Sequence, residues 1–294
     1  IGVGLFGGIG PLGLAMATSL APRDQTGRAV GSIQAAQILS AAIGPLTGGF
    51  LAGTVGIRRT FLLTALLCAA ALALVVFYYE QAPPRESEPG EQAMPLRRIL
   101  ALDGVLALLW VLFLVNFVGK SFTPILPLYL QRLSVPREQL ASATGLLISL
   151  YSIAAAFSAA WLGRTSRRVA PSRLLVGSLG LGAVVVLSMA FVPSFSLLLV
   201  LAVALGLASG GALTLCYTMG GLMVPGEHRT VAFGFFSMAA LLGGAVSPSV
   251  AGLLVSWDLR GIYYLDTLIF LGVALALLPS AVRSPAPVLG EGRA

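Results

Sequence analysis

The sequence predicts an all-α polytopic membrane protein, and three observations predict it. Of its 294 residues 57% are hydrophobic and only 10% are charged, against about 25% charged in an ordinary soluble domain. Glycine reaches 35 residues, a frequency that suits helices whose backbones approach closely in lipid. Nine apolar runs, roughly 1–21, 30–53, 60–79, 104–131, 139–162, 174–192, 196–221, 230–256 and 262–280, reach the length of about 20 residues that a helix needs to cross the hydrocarbon core.

Span 1 opens in mid-run at Ile1, without the charged start and cleavage site of a signal peptide, so the N-terminus reads as truncated. In span 2, Leu39, Ile43, Leu46 and Phe50 form a bulky stripe, while Gln34, Gln37, Ala41, Gly44 and Gly48 lie opposite. Small residues there admit another backbone, and the Pro45 ring removes one helical hydrogen bond and bends the helix. Span 3 runs into residues 80–101, which hold four Pro, four Glu and three Arg; this is a solvated linker between two membrane blocks. The organisation is therefore 1–79 as a first block, 80–101 as the linker, 102–282 as a second block and 283–294 as a tail.

Span 4 carries Asn116, Lys120, Thr123 and Pro127 at a spacing that places them on one helical face. Lys120 is the only lysine. Either its stem snorkels to the outer headgroups, or it is a cavity cation, since charges within a membrane mark functional sites. Span 5 ends in Trp161-Leu162-Gly163-Arg164-Thr165-Ser166-Arg167-Arg168. In span 7, Tyr217 shares a face with Gly206, Gly210 and Gly221 and either reaches a cavity or packs with a bonded hydroxyl. Gln34 and Gln37 either contact substrate or bond between helices. Asp266, one turn into span 9 after Tyr263-Tyr264, is a candidate proton carrier or an interfacial residue.

Charge sets the orientation. With the linker inside, Arg23, Arg28, Arg85, Arg97, Arg98, Arg164, Arg167, Arg168, Arg173, Arg229, Arg283 and Arg293 lie inside, against Arg58, Arg59, Arg132, Arg137 and Arg260 outside. Short cytoplasmic loops collect Arg and Lys, so the C-terminus is expected in the cytoplasm and the protein in the plasma (inner) membrane. This topology also accounts for the net charge of +7 without nucleic acid, because no basic stripe with interleaved aromatics exists.

The chain repeats itself. A shift of 203 positions lays residues 7–74 on 210–277 without a gap and with 19 identities, among them Gly31/Gly234, Pro45/Pro248 and Gly49/Gly252. Spans 1–3 thus correspond to spans 7–9. Symmetry leads to the expectation of three further spans before Ile1 and an intact protein of six plus six helices, a known transporter plan.

Read as a string, span 2 gives Gly31, eight residues, Ser40, three residues, Gly44-Pro45, two residues, Gly48-Gly49. It resembles the fifth-helix signature of drug:proton antiporters in the major facilitator superfamily, which has Gly where Ser40 stands. The copy in span 8 supplies Gly243, then Ser247-Pro248 and Gly252. The resemblance covers the chain as helices four to twelve of that fold, the first three helices missing. It implies a packing and gating role for Gly31, Ser40, Gly44, Pro45, Gly48, Gly49, Gly234, Gly243, Pro248 and Gly252. It also implies a cytoplasmic loop motif at Gly163, Arg164, Arg167 and Arg168, which lacks the Asp of the family pattern. The family's fourth-helix Arg falls just before Ile1, since Gly2 and Gly4 resemble the glycines that follow it.

The functional expectation is a secondary transporter that exports small organic molecules or drugs in exchange for protons, monomeric when intact. The alternative is uptake or exchange of a sugar or other metabolite, because fold alone sets neither direction nor cargo. An enzyme lacks its nucleophile, base and acid: His228 stands alone, and Cys68 and Cys216 lie in separate apolar runs. No metal or other cofactor is expected. No filter-like repeat suggests a channel, and no glycine-rich loop ends in Lys-Ser or Lys-Thr to cradle ATP.

Overall fold

A computed structural model describes residues 9–22, 25–78, 104–224 and 228–283. The expected linker at 80–101, the tail from 284, Gly2 and Gly4 lie outside the described residues. All regular structure among the described residues is helical: α1 (Ile9–Leu20), α2 (Thr26–Val55), α3 (Ile57–Tyr78), α4 (Val105–Ser121), α5 (Leu126–Arg132), α6 (Leu140–Thr165), α7 (Pro171–Met189), α8 (Phe195–Met223), α9 (Arg229–Val255) and α10 (Gly261–Arg283), with one 3-10 turn at Arg137–Gln139.

Among the described residues six helices are long and apolar enough to cross a membrane, and seven when α4 and α5 are taken as one bent span. The first two expected spans correspond to α1 and to α2, whose 30 residues make about 45 Å at 1.5 Å per residue.

The described residues fall into two compact units, one within Ile1–Leu39 and Pro95–Ala294, the other within Ser40–Met94. In the smaller unit α2 ends and α3 begins across Gly56 alone, whose φ of +88° a side chain would disfavour. The α3 side chains from Phe61 to Phe77 are exposed, and all but Thr64 are apolar.

The larger unit has its core at Leu112, Leu130, Leu147, Leu175, Leu179, Phe233, Phe236 and Phe270, all fully buried. Its outer face is apolar too: Leu106, Trp110, Phe157, Leu241, Leu253 and Leu268 are all exposed. A contiguous apolar exterior of this kind needs lipid around it.

Lipid is as apolar as leucine, so small residues and interhelical hydrogen bonds must hold these helices together. A Cβ on Gly210 of α8 would collide with Ala155 of α6, and one on Gly182 of α7 would lie 2.9 Å from the Phe270 ring of α10. Ser158 donates to the Leu207 carbonyl at 2.6 Å, and the Tyr151 and Ser209 hydroxyls meet at 3.2 Å. Tyr129 of α5 donates to the Met189 carbonyl of α7 at 2.5 Å.

The structure corrects one sequence expectation about the fourth span. It is not one continuous helix: α4 and α5 meet at a 45° bend across Phe122–Ile125. Pro124 has no N–H to give the helix ladder. Asn116 and Lys120 keep their common face, but Thr123 lies in the turn and Pro127 in the redirected helix, so the four do not share one face.

Candidate functional site

Three groups of residues stand out in the larger unit. The first closes one end of it. At the start of α2, Gly31 approaches α6 so closely that an added Cβ would lie 2.7 Å from the Ala159 carbonyl oxygen and 3.1 Å from Gly163 Cα. One helical turn earlier, a Cβ on Gly27 would lie 2.6 Å from the Gly163 carbonyl oxygen. A Cβ on Gly221 near the end of α8 would meet Thr18 and Thr26 at 3.2–3.3 Å. Arg229, the first residue of α9, donates to the Thr18 carbonyl of α1 and, through Nε at 3.2 Å, to the Val224 carbonyl. A guanidinium on carbonyls at helix C-termini also meets the negative ends of their dipoles. This end carries Arg164, Arg167, Arg168 and Arg173.

The second group lies where α4 crosses α9. A Cβ on Gly243 would collide with the Phe113 carbonyl, and one on Gly244 would lie 3.3 Å from Asn116 Oδ1 and 3.4 Å from Lys120 Cγ. Ser247 donates to the Phe117 carbonyl at 2.6 Å. Pro248, inside α9, has no N–H for the carbonyl four residues back, so Gly244 lacks its intrahelical donor. Lys120 is exposed and Asn116 half-buried. A cation, an amide and a carbonyl without its helical donor thus flank the crossing.

The third group is Asp266. It is 1% exposed, in contact with the Ser121 hydroxyl at the end of α4. The side chain points into the contact between α4 and α10. Trp257, in the turn before α10, is 91% exposed.

The other anticipated residues are dispersed. Tyr217 is buried and stacks on Phe233 with centroids 5.8 Å apart and planes 14° from parallel, beside Ser237. It lies in helix packing with its hydroxyl beside a partner, the second of its two expected placements. Gln34 is buried, and Gln37 is exposed near Gly10 of α1.

The motif copies also differ. Gly31 is tight, but a Cβ on its counterpart Gly234, or on Gly44 or Gly252, meets no described atom within 4 Å. Gly243 is tight, whereas its counterpart Ser40 is exposed. Pro45, Gly48 and Gly49 lie within α2.

Sequence reasoning missed Ser121, Gly27 and the bridging role of Arg229. Ser121 stands just before the Thr123-Pro124 break, and Arg229 is the first helical residue after a polar loop; those were the available signals.

The comparisons with known proteins agree with this architecture. The model of the Major Facilitator Superfamily matches residues 1–144 and 136–293. The chain belongs to the Major Facilitator Superfamily. That is a superfamily of transporters, not enzymes, and the chain is a multi-pass membrane protein.

Among its curated relatives, the multi-drug resistance efflux pump PmrA homolog of Lactococcus lactis is 27% identical over 257 residues, 87% of this chain and 64% of that protein. The multidrug resistance protein MdtG of Yersinia enterocolitica is 30% identical over 260 residues, 84% and 62% of the respective chains. This chain therefore spans less than two thirds of the length of those superfamily members. Among solved structures, the human organic anion transporter MFSD10 (TETRAN) matches with a TM-score of 0.68 at 19% identity, over 90% of this chain and 66% of that one. A bacterial homologue of the iron transporter ferroportin, in its outward-facing state, matches with a TM-score of 0.68 at 17% identity, over 91% and 67%.

Proposed function

We propose that this protein works as a secondary active transporter that exports small organic molecules in exchange for protons, by alternating access. The observation that carries the reading is the glycine crossing of α2 on α6. There a helix from the first block and a helix from the second approach backbone to backbone near one end of the apolar bundle, as a reversible closure requires. The Arg229 contact with Thr18 reinforces the same end. Relatives named as multidrug efflux pumps, and the α2 glycine string, favour export over uptake.

The reading places the Arg-rich end and the C-terminus in the cytoplasm of the plasma (inner) membrane, on the count of arginines. It divides the chain into blocks 1–79 and 102–282 joined by a cytoplasmic linker at 80–101, with a short tail at 283–294. Cargo enters beside Asn116 and Lys120, and the motif glycines seal and release the closed side. The working unit is a monomer in the bilayer and takes a small-molecule substrate and protons without another cofactor.

Everted vesicles containing the full product of the gene, energised with an inside-acid gradient, test this. Cationic and anionic dye-like drugs are expected to dissipate the gradient on addition. Drugs that never dissipate it, together with accumulation of a solute by intact cells, would replace export with uptake.

A further inference from the structure

Among the described residues, Asp266 is the one acidic side chain inside a membrane-length helix. A buried charge in such a place is costly unless it is paired. Asp266 has no ion pair among the described residues: Lys120 runs its stem over Gly244 of α9 and is exposed, and Arg260 stacks on the Phe191 ring at 5.4 Å. The titratable groups around the acid are two tyrosines, Tyr263 on its own helix and, against Tyr263, Tyr129 of α5 at 5.3 Å between ring centroids. Asp266 Oδ1 and the Tyr263 hydroxyl are both buried with no hydrogen-bond partner among the described residues.

The Ser121 hydroxyl favours the neutral acid. It contacts Asp266 Oδ2 and also the Val118 carbonyl oxygen, at 2.9 Å. A hydroxyl has a single hydrogen, and a carbonyl and a carboxylate are both acceptors, so one hydrogen serves the two contacts only as a weaker, shared three-centre bond. Both are satisfied when the acid is neutral: Asp266 donates to Ser121, and Ser121 donates to Val118. Helix packing does not itself call for an acid here, since the 203-residue repeat lays Asp266 on Leu63.

We infer that Asp266 and Ser121 form a proton-binding site that ties the end of α4, at its break, to α10 while the proton is bound. Release passes the proton from Oδ2 to water. The Ser121 hydroxyl then turns its hydrogen from Val118 to the new carboxylate. The carboxylate draws water to Oδ1, which loosens α4 from α10 next to the 45° bend. A single carboxyl and one hydroxyl suit a proton and give too few oxygens for a metal cation. The site deepens the proton-exchange reading and rests on it for its use in transport, but not for its occupancy.

Infrared difference titration of the chain in lipid nanodiscs tests the site, with Asp266→Asn and Ser121→Ala as references. At neutral pH the expected spectrum has a carboxylic-acid carbonyl band that Asp266→Asn removes, Ser121→Ala shifts, and only alkaline pH abolishes. Loss of nothing but a carboxylate band in Asp266→Asn would overturn the inference, and so would an acid band unmoved by Ser121→Ala. If Asp266→Asn fails to fold, the Ser121→Ala shift alone decides. Gradient-driven transport of the full gene product separates the two claims. A protonated Asp266 without proton-driven transport retains the site and removes the transport reading. An ionised Asp266 with such transport does the reverse.

Discussion

Gly31 and Gly163 meet with no side chain between them: a Cβ added to Gly163 would lie 2.9 Å from the Cα of Gly31. Nothing larger than hydrogen fits on either side, so substitution must push α2 away from α6. Gly31→Ala and Gly163→Ala are expected to cut transport by about fivefold to a hundredfold while leaving membrane insertion intact, since overpacking costs about 1–3 kcal/mol and 1.4 kcal/mol is tenfold in population. Cross-linking between cysteines placed on α2 and α6 near this crossing measures the loss of closure; undiminished cross-linking in both variants would refute it.

Gly44 gives the contrasting case. A Cβ there meets no described atom within 4 Å, so alanine is expected to be tolerated and to leave the closure at Gly31 untouched. Gly44→Leu is expected to insert normally and to abolish transport, because the small face is needed when another helix backbone closes on it during the cycle. Wild-type transport by Gly44→Leu would refute a gating role for this part of the string.

Arg229 holds the ends of α1 and α8 through the Thr18 and Val224 carbonyls. Hydrogen bonds to a charged group contribute about 1.5–3 kcal/mol each. Arg229→Gln is expected to shift the population away from the closed end by tenfold or more, read as increased alkylation of a cysteine placed at Thr18. Lysine retains the charge but not the fork that reaches two carbonyls, so Arg229→Lys is expected to recover only part of the closure.

The crossing of α4 on α9 separates sterics from hydrogen bonding. Gly243→Ala drives a methyl into the Phe113 carbonyl, whereas Ser247→Ala removes only its bond to the Phe117 carbonyl. Interhelical bonds within membranes average about 0.6 kcal/mol, against about 1–3 kcal/mol for overpacking. Thermal unfolding in nanodiscs is expected to show the larger loss for Gly243→Ala. A reversed order would mean that α9 slides to accept the methyl.

The helices, their order and the family were legible because apolar run length and a repeated Gly and Pro register are each linear properties of the sequence. The site was less so. A small residue reveals that a helix can approach, not which copy does: Gly31 and Gly234 occupy the same register, yet only Gly31 is tight. The face through Asn116, Lys120, Thr123 and Pro127 assumed an unbroken helix, and Pro124 breaks it. The depth of Asp266 along its helix can be counted, whereas its cover by Ser121, 145 residues away, cannot.

Lys120 distinguishes a contact with cargo from a lipid anchor. It stands one turn from Asn116, over a Gly244 carbonyl that Pro248 leaves without its helical donor. The side chain is exposed, so Lys120→Gln is expected to leave thermal stability unchanged. If Lys120 receives an anionic solute, the variant raises the KM for anionic dyes by about tenfold, the 1.4 kcal/mol of one lost charge contact, and leaves kcat and cationic dyes nearly untouched. Asn116→Ala should raise the KM for both dye classes, because an amide favours neither sign of charge. Equal KM values in wild type and Lys120→Gln for every dye would assign the lysine to the outer headgroups and exclude it from the transport path.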